Sequence, residues 1–151
     1  HERNFTRLRQ PACERMPHGV QRHSVQTVAI FRGQIELSDG GLETGGRFVK
    51  GSPLAGLLEN VVTNGSGKQA YIEGFKVGGK TGTAQKYENG HIAVGKYVSS
   101  FVGFFPADNP QYLALMLVDE PTGAHYGSTV AAPYAKMIFQ QIINYKNLKP
   151  A

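Results

Sequence analysis

The chain has 151 residues, a hydrophobic fraction of 40%, a charged fraction of 18% and a formal net charge of +5. This composition excludes an intrinsically disordered chain, and the lack of any run of 18 apolar residues excludes a segment that crosses a membrane as a helix by itself. The lone cysteine, Cys13, excludes an internal disulfide framework and a cysteine-built metal site.

The basic residues divide the chain near residue 50. Residues 1–50 contain seven Arg and one Lys, whereas residues 51–151 contain eight Lys and no Arg. We therefore expect residues 1–52 to be an unmatched, irregular segment, foreign to the rest or misread, and residues 53–151 to be one unit. A basic arm for nucleic acid and a separate small module are the alternatives, but the Arg residues are scattered, and we expect no nucleic-acid partner.

The first predicted element is a helix that follows Ser52. Ser52 is a suitable cap, Pro53 suits the first helical turn, and Asn64-Gly65 ends the pattern. Its apolar positions at helical spacing are Leu54, Leu57, Leu58, Val61 and Val62. A loop follows, and the period of the pattern then changes to two, which predicts a short strand over residues 70–72.

Three longer strands are predicted after this loop. They cover residues 79–86, 97–105 and 111–118, separated by a turn at 87–90 with a loop at 91–96, and by the Pro-rich turn at 106–110. The last run, QYLALMLV, is almost wholly apolar, which predicts a strand buried on both faces.

A second helix is predicted from Thr129 to Tyr145, with Thr129 as its cap and Pro133 near its first turn. Its expected buried stripe consists of Tyr134, Met137, Ile138, Gln141, Ile142 and Tyr145. Because the strands are joined by short turns, we predict an α+β fold in which both helices cover one face of an antiparallel sheet.

Two motifs share Lys80. Residues 74–81, GFKVGGKT, fit the phosphate-binding pattern G-x-x-x-x-G-K-[ST], and the apolar run ending at Asp119 resembles a magnesium-binding strand. A phosphate loop runs directly into a helix, however, whereas here Gly82-Thr83 follow the lysine and Asn89-Gly90 would end any helix within about two turns. This P-loop nucleotide-binding hypothesis stays an alternative that the local sequence disfavours.

The same stretch contains Lys80-Thr81-Gly82-Thr83, the lysine-threonine-glycine signature of serine acyl-transferases that react with penicillin. On a strand, Lys80 would supply positive charge, while Thr81 and Thr83 would share one face and offer hydroxyls to a substrate carboxylate or carbonyl. Gly82 has no side chain, so a substrate backbone could lie against the strand as an added neighbour. The amide of Thr83 is placed to donate to a developing oxyanion.

Residues 57 to about 150 resemble the C-terminal part of the transpeptidase domain of class B penicillin-binding proteins, the bacterial D,D-transpeptidases of the septal division and sporulation type. The resemblance rests on ENVVTNGSGKQAYIEGFKVGGKTGTAQK, SFVGFFPADNPQYLALMLVDEP and YGSTVAAPYAKMI. It implies that Lys80, Thr81, Gly82 and Thr83 form the third active-site motif, in which Thr81 and Thr83 hold the substrate carboxylate. Ala84 and Gln85 would continue the substrate-facing strand, and the loop of residues 88–96 would rim the groove.

The resemblance also implies the chemistry of the longer parent protein. Serine acyl transfer would cross-link peptidoglycan without a metal or cofactor, and the partners would be the peptidoglycan stem peptide and β-lactams. The parent would be anchored in the membrane and would act on the extracytoplasmic face. Division and sporulation partners are left open.

The family needs a nucleophilic serine in S-x-x-K and a partner motif S-x-N. No serine of this chain has Lys three positions later or Asn two positions later. The segment Ser38-Asp39-Gly40 comes nearest to the second motif and is interpreted as a turn. We therefore expect a fragment that carries the third motif and is inactive alone, or alternatively a non-catalytic module that binds peptide or β-lactam.

Overall fold

The computed structural model of the chain describes the backbone of residues 25–32 and the whole of residues 53–150. The elements are strand β1 (Val25–Arg32), helix α1 (Pro53–Thr63), strands β2 (Gly78–Glu88), β3 (His91–Phe105) and β4 (Tyr112–Asp119), and helices α2 (Gly127–Val130) and α3 (Ala132–Lys146). The prediction of an α+β fold with an antiparallel sheet is confirmed, as are α1 and the three longer strands, whose ends agree within two residues except at the start of β3.

The described strands form one antiparallel sheet in the order β1-β4-β3-β2, so β2 lies at an edge. A two-residue turn joins β2 to β3, and both of its residues have positive φ, 52° at Asn89 and 80° at Gly90. Asn-Gly is the preferred pair for such a turn because both residues tolerate this backbone conformation. The predicted turn at 87–90 is therefore confirmed in its last two residues, while Tyr87 and Glu88 belong to β2.

The start of β3 differs from the prediction. Residues 91–96 belong to β3 instead of forming a loop, so residues 88–96 are mostly strand and not a loop at the groove. The pairing is irregular there, since residues 93–96 stand opposite Lys86 alone, and Gly95 has a φ of 80°. Extra residues on one strand of a pair break the period of two, and the strand then resembles a loop in the sequence.

Strand β1 was not predicted. The sequence indicates an irregular or foreign segment over residues 1–52, yet residues 25–32 pair with β4, from Val25 opposite Val118 to Arg32 opposite Tyr112. The predictions for Cys13, for the turn at Ser38 and for Ser52 as a cap lie outside the described residues. The predicted strand at 70–72 is wrong: a 3₁₀ turn, Lys68–Ala70, precedes an isolated bridge between Ile72 and Phe75.

Helix α3 covers one face of the sheet. Phe139 is fully buried in the main hydrophobic cluster with Phe101, Phe105 and Met116 of the sheet. The buried positions of α3 are Ala132, Tyr134, Ala135, Phe139 and Ile143. Of the predicted stripe, Tyr134 is buried, and Met137, Ile138 and Ile142 are partly buried against the same cluster. Gln141 and Tyr145 are exposed, and the small residues Ala132 and Ala135 take buried positions that the prediction omits.

Pro133 lies in the first turn of α3 as predicted, whereas the predicted cap of this helix and the predicted face of α1 are corrected. Thr129 lies within the short helix α2, and Ala131 precedes α3 as its N-cap. Helix α1 does not share the face of α3: Ala55 packs with Phe104 and Ala107, and Phe104 points to the side of β3 opposite its neighbour Phe105. Leu57, which the spacing predicts on the buried face of α1, is 64% exposed, and only the far end of the helix reaches the main cluster, through Val62.

Candidate active site

Lys80 lies in extended backbone near the start of β2, at the edge of the sheet. Burial falls along this strand, from the buried Gly78 and Gly79 to the exposed side chains of residues 83–85. The strand therefore becomes accessible to solvent where the lysine-threonine-glycine motif begins.

This geometry does not support the P-loop alternative. A phosphate loop requires a helix directly after the lysine, but Lys80 continues into eight further strand residues, Thr81 to Glu88, before the turn. The acid that was compared with a magnesium ligand, Asp119, is ion-paired instead: its Oδ1 lies 3.0 Å from Lys86 Nζ.

Thr81 and Thr83 share one face of β2, as predicted, because side chains alternate along a strand. The oxygen of each hydroxyl is in contact with a polar group of the protein. Thr83 Oγ1 accepts a hydrogen bond from the backbone N–H of Gly127 at 3.1 Å, and Thr81 Oγ1 lies 3.1 Å from Ser66 Oγ. Since an N–H can only donate, the Thr83 hydroxyl keeps its own proton for another acceptor.

Lys80 itself is exposed, and its Nζ donates to the carbonyl of Thr81 at 3.0 Å. The ammonium group thus lies against the backbone of its own strand at Thr81. The site carries positive charge at the point where the strand becomes accessible.

Gly127 lies unusually close to the strand pair that carries the motif. A Cβ at this position would collide with the carbonyl oxygens of Gly82 and Ser100, so only glycine allows this approach. The buried Ser99 hydroxyl donates to the carbonyl of His125 and holds the same loop against β3. The approach brings the Gly127 N–H within reach of Thr83.

Gly82 is constrained by its own sheet. A Cβ here would lie 2.6 Å from Ser100 Oγ on the paired strand β3. The approach of a substrate backbone is one reason for a glycine here, and the contact with Ser100 is a second reason that needs no substrate. Ala84 and Gln85 continue β2 and are exposed, and their substrate-facing role stays a prediction.

Aromatic rings flank the Thr83 end of the site, and the sequence did not indicate them. The rings of Tyr97 and His125 stack with centroids 4.1 Å apart, and those of His125 and Tyr126 are 4.5 Å apart. Tyr126 is 61% exposed. The sequence pattern could not reveal this group of rings, because its members lie on β3 and on the loop before α2, almost thirty residues apart.

Charged residues occupy the hairpin beyond Gln85. Lys86 Nζ lies 2.8 Å from Glu120 Oε1 as well as near Asp119, and Lys96 Nζ lies 2.6 Å from Glu88 Oε1. The hydrogen bond to Glu120, followed by that to Asp119, raises the pKa of Lys86 above its ordinary value of 10.5, and the hydrogen bond to Glu88 likewise raises the pKa of Lys96. These ion pairs connect the hairpin to the end of β4.

Comparison with known proteins gives consistent matches over the same part of the chain. Residues 53–143 match the family described as the penicillin binding protein transpeptidase domain. The chain is 41% identical over 99 residues to a peptidoglycan D,D-transpeptidase FtsI homolog of Chlorokybus atmophyticus, covering 64% of this chain and 15% of that protein. It is 44% identical over 94 residues to stage V sporulation protein D of Bacillus subtilis, covering 62% of this chain and 15% of that protein.

Solved structures agree with these matches. The transpeptidase domain of penicillin-binding protein 3 from Burkholderia pseudomallei is 37% identical with a TM-score of 0.58, covering 64% of this chain and 30% of that one. Penicillin-binding protein 3 from Mycobacterium tuberculosis in complex with ampicillin is 27% identical with a TM-score of 0.57, covering 64% and 24%. The chain spans about 15% of the length of the curated relatives named above.

The contact between Thr83 and Gly127 predicts a difference between two substitutions. Thr83→Val removes the acceptor of a buried N–H, so we expect the free energy of unfolding to fall by about 1–3 kcal/mol. Thr83→Ser keeps the acceptor and should stay close to wild type. Urea denaturation of both variants measures this, and equal losses would show that the Gly127 hydrogen bond contributes nothing to stability.

The ion pairs of Lys86 predict a dependence on pH. A pKa raised by folding means that the folded state holds the proton of Lys86 more tightly than the unfolded state does. The stabilisation is therefore complete below pH 10.5 and is lost as the pH rises through the pKa of Lys86 in the folded state. The gap in unfolding free energy between wild type and Lys86→Met should therefore close above pH 10.5. A gap that stays constant in this alkaline range would contradict the role of the charge.

Proposed function

The chain belongs to the penicillin-binding protein transpeptidase family, and from this premise we propose that residues 53–150 are the substrate-binding part of a peptidoglycan D,D-transpeptidase. The observation that carries the proposal is the position of residues 80–85 on the exposed part of an edge strand. An edge strand has unpaired backbone groups on one side, and an extended peptide can add to it as a further strand.

The proposed substrate is a peptidoglycan stem peptide ending in D-Ala-D-Ala. Thr81 and Thr83 bind its terminal carboxylate with their hydroxyls, and the nearby Lys80 ammonium group supplies the matching charge. The Thr83 amide donates to the oxyanion that forms at the scissile carbonyl, and preorganised donors of this kind contribute about 3 kcal/mol to acyl transfer. Gly82, Ala84 and Gln85 provide the backbone along which the peptide lies.

In the proposed parent reaction, a serine hydroxyl attacks the carbonyl between the two D-Ala residues. The terminal D-Ala leaves with a proton, and an amine acceptor then takes the acyl group from the serine. Neither step needs a metal or cofactor. None of the serines in these 151 residues belongs to an S-x-x-K motif, so we propose that this chain binds the acyl donor without being acylated.

β-Lactams are proposed as ligands of the same strand, because one of the matched proteins has ampicillin in its structure. The site belongs on the extracytoplasmic face of the bacterial membrane, where peptidoglycan is assembled, with the anchor in the longer parent. Within the described residues, no helix is both long and apolar enough to cross a bilayer.

A non-catalytic binding module is the second candidate function, favoured by the missing S-x-x-K motif. Both candidates predict reversible peptide binding, and they differ in what happens when the nucleophile is supplied. If a transpeptidase-domain segment containing S-x-x-K, added in trans, restores penicillin acylation, the chain is part of a catalytic domain. If the chain binds peptide but the added segment does not restore penicillin acylation, the non-catalytic module is favoured.

The binding proposal is tested with acetylated Lys-D-Ala-D-Ala, titrated into the isotope-labelled chain and followed by backbone NMR shifts. We expect saturable shifts at residues 80–85 and a loss of affinity of at least about tenfold in Thr81→Val, because a hydrogen bond to a charged group is removed. Thr122→Val, an exposed threonine in the turn after β4, is the matched control and should bind like wild type.

The same sample tests the prediction about acylation. Incubation with penicillin should give no covalent adduct in the intact mass spectrum. A stoichiometric adduct would show that a nucleophile outside the S-x-x-K pattern exists in this chain, and an absence of shifts at residues 80–85 at any peptide concentration would refute the binding proposal itself.

A further inference from the structure

Ser66 contacts the active-site motif although it belongs to none of the family's serine motifs. It lies in the loop between α1 and the 3₁₀ turn, fifteen residues before Thr81, and its Oγ is 3.1 Å from Thr81 Oγ1. Ser66 is exposed and Thr81 is half-buried. The contact therefore lies at the surface, where a ligand on β2 would meet it.

The loop that carries Ser66 is held tightly against the end of α1. The carbonyl of Val61 accepts hydrogen bonds from the N–H groups of both Gly65, at 3.1 Å, and Gly67, at 2.9 Å. A Cβ would lie 2.9 Å from this carbonyl oxygen at Gly65 and 3.1 Å from it at Gly67, which is itself buried. Ser66 is thus fixed on both sides by glycines that larger residues cannot replace without displacing the loop.

The direction of the Ser66–Thr81 hydrogen bond follows from the proposed ligand. A carboxylate has no proton, so Thr81 can bind it only by donating its single hydroxyl proton. Thr81 Oγ1 must then act as acceptor toward Ser66. Thr83 already shows this arrangement, since its Oγ1 accepts from the N–H of Gly127.

We propose that Ser66 is a positioning residue for substrate binding: it donates its proton to Thr81 Oγ1 and so directs the Thr81 hydroxyl proton to the carboxylate of the acyl donor. The two threonines of the motif then have the same arrangement, each with a protein donor on its oxygen and its own proton facing the ligand. Hydrogen bonds in such a chain polarise one another, which strengthens the bond to the charged end. This inference rests on the proposed function of β2.

The test compares two ligands, acetylated Lys-D-Ala-D-Ala with a free carboxylate and the same peptide with a C-terminal amide. Ser66→Ala should weaken binding of the carboxylate about five- to tenfold, the effect of one hydrogen bond. Its effect on the amide should be much smaller, because the amide NH₂ can donate to Thr81 and no longer requires the proton of Thr81. Ser66→Thr keeps a hydroxyl and should restore most of the affinity.

A double-mutant cycle separates positioning from general support of the loop. In a Thr81→Val background, Ser66→Ala should cause no further loss of carboxylate binding, because the partner hydroxyl is gone. Equal losses for the carboxylate and amide ligands, or additive losses in the cycle, would overturn the inference in favour of a structural role. Urea denaturation of each variant shows whether it is folded in the titration.

The outcomes also distinguish this inference from the function on which it rests. If Thr81→Val loses affinity but Ser66→Ala binds the carboxylate as well as wild type does, the function stands and the role of Ser66 is refuted. If the wild-type chain binds neither peptide, the proposed function fails and the role of Ser66 fails with it.

Discussion

The candidate site depends on one constraint: among the strands that the structure describes, β2 is paired with β3 along one edge and has no strand on the other. This arrangement leaves a row of backbone donors and acceptors open to an extended ligand and also fixes their spacing. The proposed roles of Lys80, Thr81 and Thr83 depend on this edge. The same three residues in a loop would offer a charge and two hydroxyls without a backbone template beside them.

Close packing of glycines against neighbouring groups holds β2 in place. Cβ atoms at Gly78 and Gly79 would collide with the rings of Phe104 and Phe101, so the start of β2 is held against both faces of the sheet core. Farther along the strand, Gly127 approaches Gly82 and Ser100 at a distance that excludes any side chain. The glycines of this region therefore bring rigid elements together, and the Thr83 hydroxyl receives a fixed donor, the Gly127 N–H, as a result. A rigid support of this kind is what precise recognition of a small charged group requires.

The sequence predicted what local patterns determine and missed what depends on distant contacts. The strand around Lys80 and the Asn89-Gly90 turn follow from residue types with strong local preferences, and both are present. The assignment of α3 failed at Gln141 and Tyr145, because large residues were preferred over the alanines that face the sheet. Ser66, Gly127 and the stacked His125 carried no signal, because each meets its partner only after folding has brought separate elements together. The roles of residues 80–85 in binding stay predictions.

The proposed function requires that the outer edge of β2 is open and takes up a peptide strand. Backbone amide hydrogen exchange, resolved residue by residue by NMR with and without a D-Ala-D-Ala peptide, measures this directly. An open edge predicts that within residues 80–85 every second amide exchanges rapidly in the free protein and becomes protected when the peptide binds, while the amides between them, bonded to β3, are slow in both states. Slow exchange at all of these amides in the free protein, or exchange unchanged by a saturating peptide, would contradict it.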